Sequence, residues 1–135
     1  MLDLTQIDVV KLKSLSTAMK YPKNAVIINE KDEMYNMYII LAGSVRVVKN
    51  YGEFKQVVVA SLGVGDFFGE MSLFLQKPRT ATVVTAEETI VLAINQENIN
   101  EVIRLNPKML FNILKTLCAR IDELNDRVRT LAPVR

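Results

Sequence analysis

Two charged side chains in the middle of the chain stand at a spacing that suits ligand recognition: Glu70 and, nine residues later, Arg79. Glu70 follows the run Gly65-Asp66-Phe67-Phe68-Gly69 and opens Glu70-Met71-Ser72-Leu73-Phe74. A glycine at 69 lets the backbone turn, so residues 70–74 can form a short helical turn whose first amides have no acceptor of their own. Those amides suit an anion. Arg79 comes after Leu75-Gln76-Lys77-Pro78, just ahead of the strand-like Thr80-Ala81-Thr82-Val83. From there it can cross the loop and offer a bidentate guanidinium to the same anion. A carboxylate beside a bound anion is unfavourable unless the ligand also carries hydroxyl donors, and a ribose phosphate carries both. Taken alone, Glu70 and Arg79 would be a surface ion pair worth about 0–1 kcal/mol. The glycine turn set between strand pairs favours the anion reading.

Composition removes most other chemistries. The chain has no histidine, and so lacks the commonest metal ligand, the usual axial haem ligand and the most frequent general base. A cupin-type metalloenzyme, whose β-roll also binds small molecules, would need those histidines. Cys118 is the single cysteine, which excludes an intrachain disulfide and a cysteine-only metal or iron–sulfur cluster. It is expected to be a small, half-buried helix residue, and the chain is expected not to be an enzyme. Net charge is +2 with 24% charged residues, and the lysines and arginines are dispersed, so no contact with nucleic acid is expected. Apolar runs such as 37–42 and 57–60 fall far short of the ~20 residues that cross a bilayer. Met1-Leu2-Asp3-Leu4-Thr5 has no export signal, which predicts a cytoplasmic protein without membrane contact.

The elements that must position Glu70 and Arg79 follow from periodicity. With 135 residues, half of them apolar, the chain suits one domain. Val9, Leu12, Leu15 and Met19 predict a short amphipathic helix over 9–19, stopped by Pro22. Runs rich in Val, Ile, Tyr and Thr predict strands at 25–28, 37–42, 44–49, 54–62, 81–86 and 89–94, separated by turns at 29–32, 50–53, 63–66 and 87–88. Consecutive antiparallel hairpins in a sandwich or rolled barrel are the economical arrangement. Asn95 is the expected N-cap of a short helix through Ile99, Val102, Ile103 and Leu105, and Asn106-Pro107 restarts the chain as a long helix. Its seam places Leu114, Ile121 and Val128 at a and Leu110, Leu117, Leu124 and Leu131 at d, the preference of a parallel two-stranded coiled coil. A parallel homodimer through residues 110–131 is predicted. The alternative is that this stripe packs on the chain's own β-roll, with Phe111, Ile113 and Cys118 widening the apolar surface. The organisation is thus one domain over 1–135: an N-terminal helix and lead-in (1–24), a β-roll (25–94) and closing helices (95–131).

Residues 65–83 resemble the phosphate-binding cassette of cyclic-nucleotide-binding domains in catabolite-activator-type regulators, cyclic-nucleotide-gated channels and cyclic-nucleotide-dependent kinases. The likeness extends to Tyr21-Pro22-Lys23 with Val26-Ile27, to Met37-Tyr38-Ile39-Ile40-Leu41-Ala42-Gly43-Ser44-Val45, and to Asn106-Pro107, so it covers nearly the whole chain. It implies a mainly β fold with flanking helices: a double-stranded β-helix (jelly roll) with a short N-terminal and a long C-terminal helix. The implied ligand is cAMP, with cGMP the alternative, because a threonine after the arginine is found with both. Glu70 is then expected to accept from the ribose 2′-hydroxyl, while amides at Gly69, Glu70 and Met71, with Ser72 in the same turn, face the sugar and cyclic phosphate. Arg79 would neutralise that phosphate. Thr80 and Ala81 would offer amides, and the Thr80 hydroxyl would reach a phosphate oxygen or the purine amino group. The base would lie against Val58, Val59 and Met71, and Asn125, beside Leu124 on the closing helix, would touch it as polar residues do in dimeric relatives.

Two departures stand out. Lys31 occupies a turn position where many relatives carry glycine, which is expected to alter a loop away from the pocket. The chain stops at Ala132-Pro133-Val134-Arg135, without the helix-turn-helix domain of the transcription regulators, as for a free-standing sensor or a piece of a longer regulator. The resemblance implies a sensor whose ligand biases the closing helix. The competing expectation is a dimerisation or interaction module with a vestigial pocket.

Overall fold

The computed structural model describes residues 17–131. Among them the apolar, β-branched runs form eight strands: β1 (Thr17–Tyr21), β2 (Val26–Ile28), β3 (Met37–Ala42), β4 (Val45–Lys49), β5 (Val57–Leu62), β6 (Phe67–Phe68), β7 (Thr82–Thr85) and β8 (Thr89–Ile94). They pair antiparallel as β1 with β8, β2 with β7, β3 with β6 and β4 with β5. That nesting is a single long hairpin rolled up into two four-stranded sheets, β1-β8-β3-β6 and β2-β7-β4-β5, the jelly roll that the resemblance implied. The expected chain of consecutive hairpins is corrected: among sequence neighbours, β4 and β5 pair, whereas β3 and β4 lie in different sheets.

The burial of β3 shows why. Met37, Tyr38, Ile39 and Ile40 are all buried, so both faces of the strand need cover. Tyr38 and Ile40 pack between the sheets with Ile28, Val45, Phe68, Val83 and Val91. Met37 and Ile39 face the other way, with Phe67, Leu92 and Ile94, onto helical residues Ile99, Val102, Met109 and Ile113. A strand apolar on both faces cannot sit in a half-solvated meander. The chain leaves β3 through Gly43, at φ 87°, where a Cβ would lie 2.4 Å from the Glu88 carbonyl oxygen. Glycine alone fits that turn.

Thr17, Ala18 and Met19 belong to β1, from Thr17 opposite Ala93 to Tyr21 opposite Thr89, and not to the predicted helix. In so short a stretch the alternation of Thr17, Met19 and Tyr21 competes with helical spacing, and the open edge of β8 decides it; the rest of that prediction lies outside the described residues. Strand β6 escaped notice because two residues carry no period. Phe54, expected at the start of a strand, is fully exposed in the turn before β5.

Three helices complete the described chain: α1 (Glu70–Leu75), α2 (Ile99–Leu105) and α3 (Pro107–Leu131). Asn95 is not the cap of α2. Its Oδ1 accepts the amides of Glu97 and Asn98 at 2.9 and 3.0 Å in a preceding turn, and Asn98 precedes the helix. Helix α3 starts at Pro107 as expected, but it docks through Met109 and Ile113, both buried, with Leu117 partly so. Most of the seam stands free of the chain's own roll, with Leu114, Ile121, Leu124, Val128 and Leu131 52–85% exposed, whereas its Leu117 packs on the core. The alternative of a stripe folded onto the roll holds in part: Leu117 packs on the core, while the main docking residues, Met109 and Ile113, lie beside the seam. Cys118 is exposed, not half-buried. No helix among the described residues is long and apolar enough to cross a membrane.

Candidate functional site

The site begins with a backbone turn. Gly69 sits at φ 80°, and a Cβ there would lie 2.7 Å from the Asn36 carbonyl oxygen and 2.8 Å from Arg79 Nη1. Glycine is required both for the left-handed conformation and for this approach. Helix α1 follows at once, so its first amides at Glu70, Met71 and Ser72 precede any intrahelical acceptor. The helix ends at Gln76, at φ 53°, whose amide donates to the Ser72 carbonyl at 2.9 Å.

The main chain of Arg79 is tied to the turn between β2 and β3. Its amide donates to the Asp32 carbonyl at 2.8 Å, and its carbonyl accepts from the Lys31 amide at 2.8 Å. Lys31, at φ 75°, lines neither cavity, as expected, but its amide is part of the frame that holds the Arg79 main chain. The Arg79 side chain turns inward until the residue is 4% exposed. Its Nη1 donates to the Gly69 carbonyl at 3.2 Å, and its guanidinium carbon stands 6.0 Å from the centroid of the Tyr38 ring, which stacks on Phe68. Nε and Nη2 are buried and find no partner among the described residues. Burial pushes the guanidinium below its ordinary pKa, against the opposing pull of Tyr38, Asp32 and Glu70. Arginine nonetheless stays charged at any ordinary pH. A buried cation with two unmet donors on one side of its fork is poised for an anion.

Arg79 also lines a cavity of about 310 Å³, at the small end of the ~300–1,000 Å³ typical of ligand pockets. One side is the cassette: Gly69, Glu70, Met71 and Ser72, then Arg79, Thr80 and Ala81. Opposite lies an apolar wall of Ile28, Val47, Ala60, Leu62 and Val83. Arg120 closes the cavity from helix α3. Its Nη1 donates to Glu70 Oε1 at 2.9 Å, and its guanidinium carbon lies 5.0 Å from the Phe67 centroid. Glu70 is 8% exposed. Its ion pair is with the closing helix, not with Arg79. One carboxylate edge and one guanidinium fork, with amides between and an apolar slot opposite, can hold an anion, a hydroxyl and a flat apolar group together.

Seven of the predicted residues thus converge: Gly69, Glu70, Met71, Ser72, Arg79, Thr80 and Ala81. Val58 and Val59 do not line the cavity and are 50% and 52% exposed. A bulge explains the miss: Val47 pairs with Ala60 but Val48 with Val58, so Val59 is an extra residue and the outer end of β5 is turned away. Ala60 and Leu62 hold the wall instead. Asn125 is exposed and does not line its own chain's cavity; it lies five residues, about 7.5 Å along the helix, beyond Arg120. Arg120 itself was missed. The signal was its place three residues after Leu117 on the face that carries Met109 and Ile113, a cation continuing an apolar docking stripe.

Known proteins match the chain in the same region. The sequence model of the cyclic nucleotide-binding domain matches residues 18–106. The cAMP-activated global transcriptional regulator CRP of Haemophilus influenzae is 30% identical over 114 residues, 84% of this chain and 51% of that protein. The cyclic AMP receptor protein of Thermus thermophilus is 32% identical over 103 residues, 76% of this chain and 48% of that protein. The chain therefore spans about half the length of these relatives. The crystal structure of the Thermus thermophilus catabolite activator protein superposes with a TM-score of 0.80 at 28% identity, covering 96% of this chain and 60% of that one. Rolled sheets, cassette, inward arginine and a family match over residues 18–106 agree: the chain belongs to the cyclic nucleotide-binding domain family.

Proposed function

We propose that the chain is a cytoplasmic cyclic-nucleotide sensor, with cAMP as its ligand and cGMP the alternative, that acts by binding rather than by catalysis. The observation that carries this is the buried Arg79 fork, with Nε and Nη2 unmet, on a residue that lines the same cavity as Glu70 and the first residues of α1. An anion satisfies the fork, a ribose hydroxyl satisfies the carboxylate, and Val47, Ala60 and Leu62 form a slot for a purine. The cAMP-dependent names of the relatives favour cAMP.

The Arg120–Glu70 pair is the route by which ligand reaches helix α3. A 2′-hydroxyl donating to Glu70 changes what Arg120 holds, and the helix is displaced or secured accordingly; a coupling of about 1–3 kcal/mol is ordinary for such a device. The exposed seam supports a parallel homodimer, since Ile121, Leu124, Val128 and Leu131 are open for about half their area or more. In that register Arg120 falls at g and Asn125 at e, and g faces the following e across a parallel seam. Asn125 of the partner subunit would then stand beside Arg120 at the mouth of the cavity. The output passes to whatever follows or docks on the helix, and the domain itself makes no contact with nucleic acid.

The same exposed seam favours a second reading, a dimerisation module whose pocket no longer senses. Isothermal titration with cAMP and cGMP in parallel, with Arg79→Leu as control, separates the two. Saturable binding that the variant weakens by about tenfold or more supports the sensor, and binding of neither nucleotide leaves the module.

A further inference from the structure

Arg79 must stay charged, inward and unpaired until an anion arrives, which raises the question of what keeps a flexible side chain so placed. Packing near it is loose: a second cavity of about 50 Å³ is lined by Asp32, Met34, Tyr38 and Arg79 among others. Its walls include a carboxylate that already attracts the cation. An arginine free to turn there would meet Asp32 and be neutralised. Its bond to the Gly69 carbonyl engages Nη1 alone at 3.2 Å and leaves the fork able to pivot.

The remaining contact is aromatic. Tyr38 is 4% exposed on β3, and its ring stacks on Phe68 at 5.1 Å between centroids and 19° between planes. Phe68 immediately precedes Gly69, so the stack ties β3 to the start of the cassette. The guanidinium carbon lies 6.0 Å from the Tyr38 centroid. A ring face attracts a cation without occupying its N–H groups, whereas a carboxylate would take the fork that the ligand needs. We infer that Tyr38 is a positioning residue: its ring, fixed by Phe68, holds the Arg79 guanidinium in place without occupying its N–H groups, so that the Nε and Nη2 donors are ordered before the anionic ligand arrives. The inference rests on the sensor reading and adds a residue to it, outside the main cavity's lining.

Preorganisation of one long side chain sets the size of the effect, about two- to tenfold in affinity. The test is titration of the full chain with cAMP and cGMP for wild type, Tyr38→Phe and Tyr38→Leu, each with and without Arg79→Leu. Tyr38→Phe, which keeps the ring, is expected to bind within about twofold of wild type, and Tyr38→Leu to bind about two- to tenfold more weakly. In the Arg79→Leu background Tyr38→Leu should change nothing further, because the ring then has no cation to hold. Equal loss with and without Arg79 would show a general packing role and overturn the inference. Should Tyr38→Leu fail to fold, the wild type still decides: a resolved, slowly exchanging Arg79 Nε–H resonance without ligand is expected, and a motionally averaged one overturns the inference. Wild type that binds neither nucleotide removes the sensor reading and this role together. Wild type that binds, with Tyr38→Leu unchanged, removes the positioning role alone.

Discussion

Arg79→Leu should lower ligand affinity while sparing or raising the stability of the unliganded domain, two effects of opposite sign from one side chain. Arg79 is 4% exposed, and its guanidinium makes one hydrogen bond, to the Gly69 carbonyl, and one ring contact. Those contribute about 1 kcal/mol each. Against them stand two buried donors without partners, each costing about 1–3 kcal/mol, and the desolvation of the charge. Replacing the fork by an apolar side chain is thus expected to raise stability by about 0 to +4 kcal/mol, a melting temperature equal to or several degrees above wild type for a domain of this size. Binding loses a charge-assisted bidentate contact worth about 1.5–3 kcal/mol, which is roughly 10- to 150-fold in Kd. At a cAMP concentration 100 times the wild-type Kd, ligand stabilises wild type by about 2.7 kcal/mol and the variant by about 0.3–1.3 kcal/mol. Thermal unfolding with and without cAMP, paired with calorimetric titration, reads both effects. A variant that melts well below wild type without ligand would show Arg79 to be a structural keystone. One that keeps the full ligand-induced shift would refute the phosphate role.

Glu70→Gln should weaken binding and reduce discrimination against 2′-deoxy analogues, measured by competition titration; unchanged discrimination would take Glu70 out of the ribose role. Ala60→Phe fills the apolar slot opposite the cassette and should lower affinity by more than about tenfold with the fold intact by circular dichroism. Arg120→Ala leaves the Glu70 carboxylate, 8% exposed, without its cation and is expected to destabilise the unliganded domain by about 1–3 kcal/mol in urea unfolding. Leu124→Asp with Val128→Asp should give monomers in sedimentation, since both side chains are exposed in the seam; Leu117 is a poorer target because it packs on the core. A wild type already monomeric at tens of micromolar would sink the zipper.

Much of the site was legible because its parts are local. Gly69, Glu70, Ser72 and Arg79 lie within one loop-helix-loop, and the demand for a glycine turn, free amides and a returning guanidinium can be read along the chain. Asn106-Pro107 likewise marks the start of α3, since a cap and a φ-locked residue act on their immediate neighbours. What failed was nonlocal or too short. The wall of the cavity depends on a bulge at Val59 that the valine run conceals, because in Val57-Val58-Val59 every residue has the same chemistry whichever way it points. Residues 17–19 were misread because helical and strand spacing coincide over so few positions, and the edge of β8 decided between them.

From the sequence alone came the strand-rich character, the glycine turn that carries Glu70 and Arg79, the exclusion of histidine chemistry and the apolar seam, each of which depends on residue type and near spacing. Tertiary structure alone decided that the hairpin rolls up rather than meanders, that α3 docks through Met109 and Ile113 and leaves most of its seam open, and that Arg79 is buried with two donors unmet. It also brought Arg120 onto Glu70 across fifty positions of chain. No local pattern carries such a contact, because the packing of one sheet against two layers sets where a distant helix lies, and only that placement determines which cation meets which carboxylate.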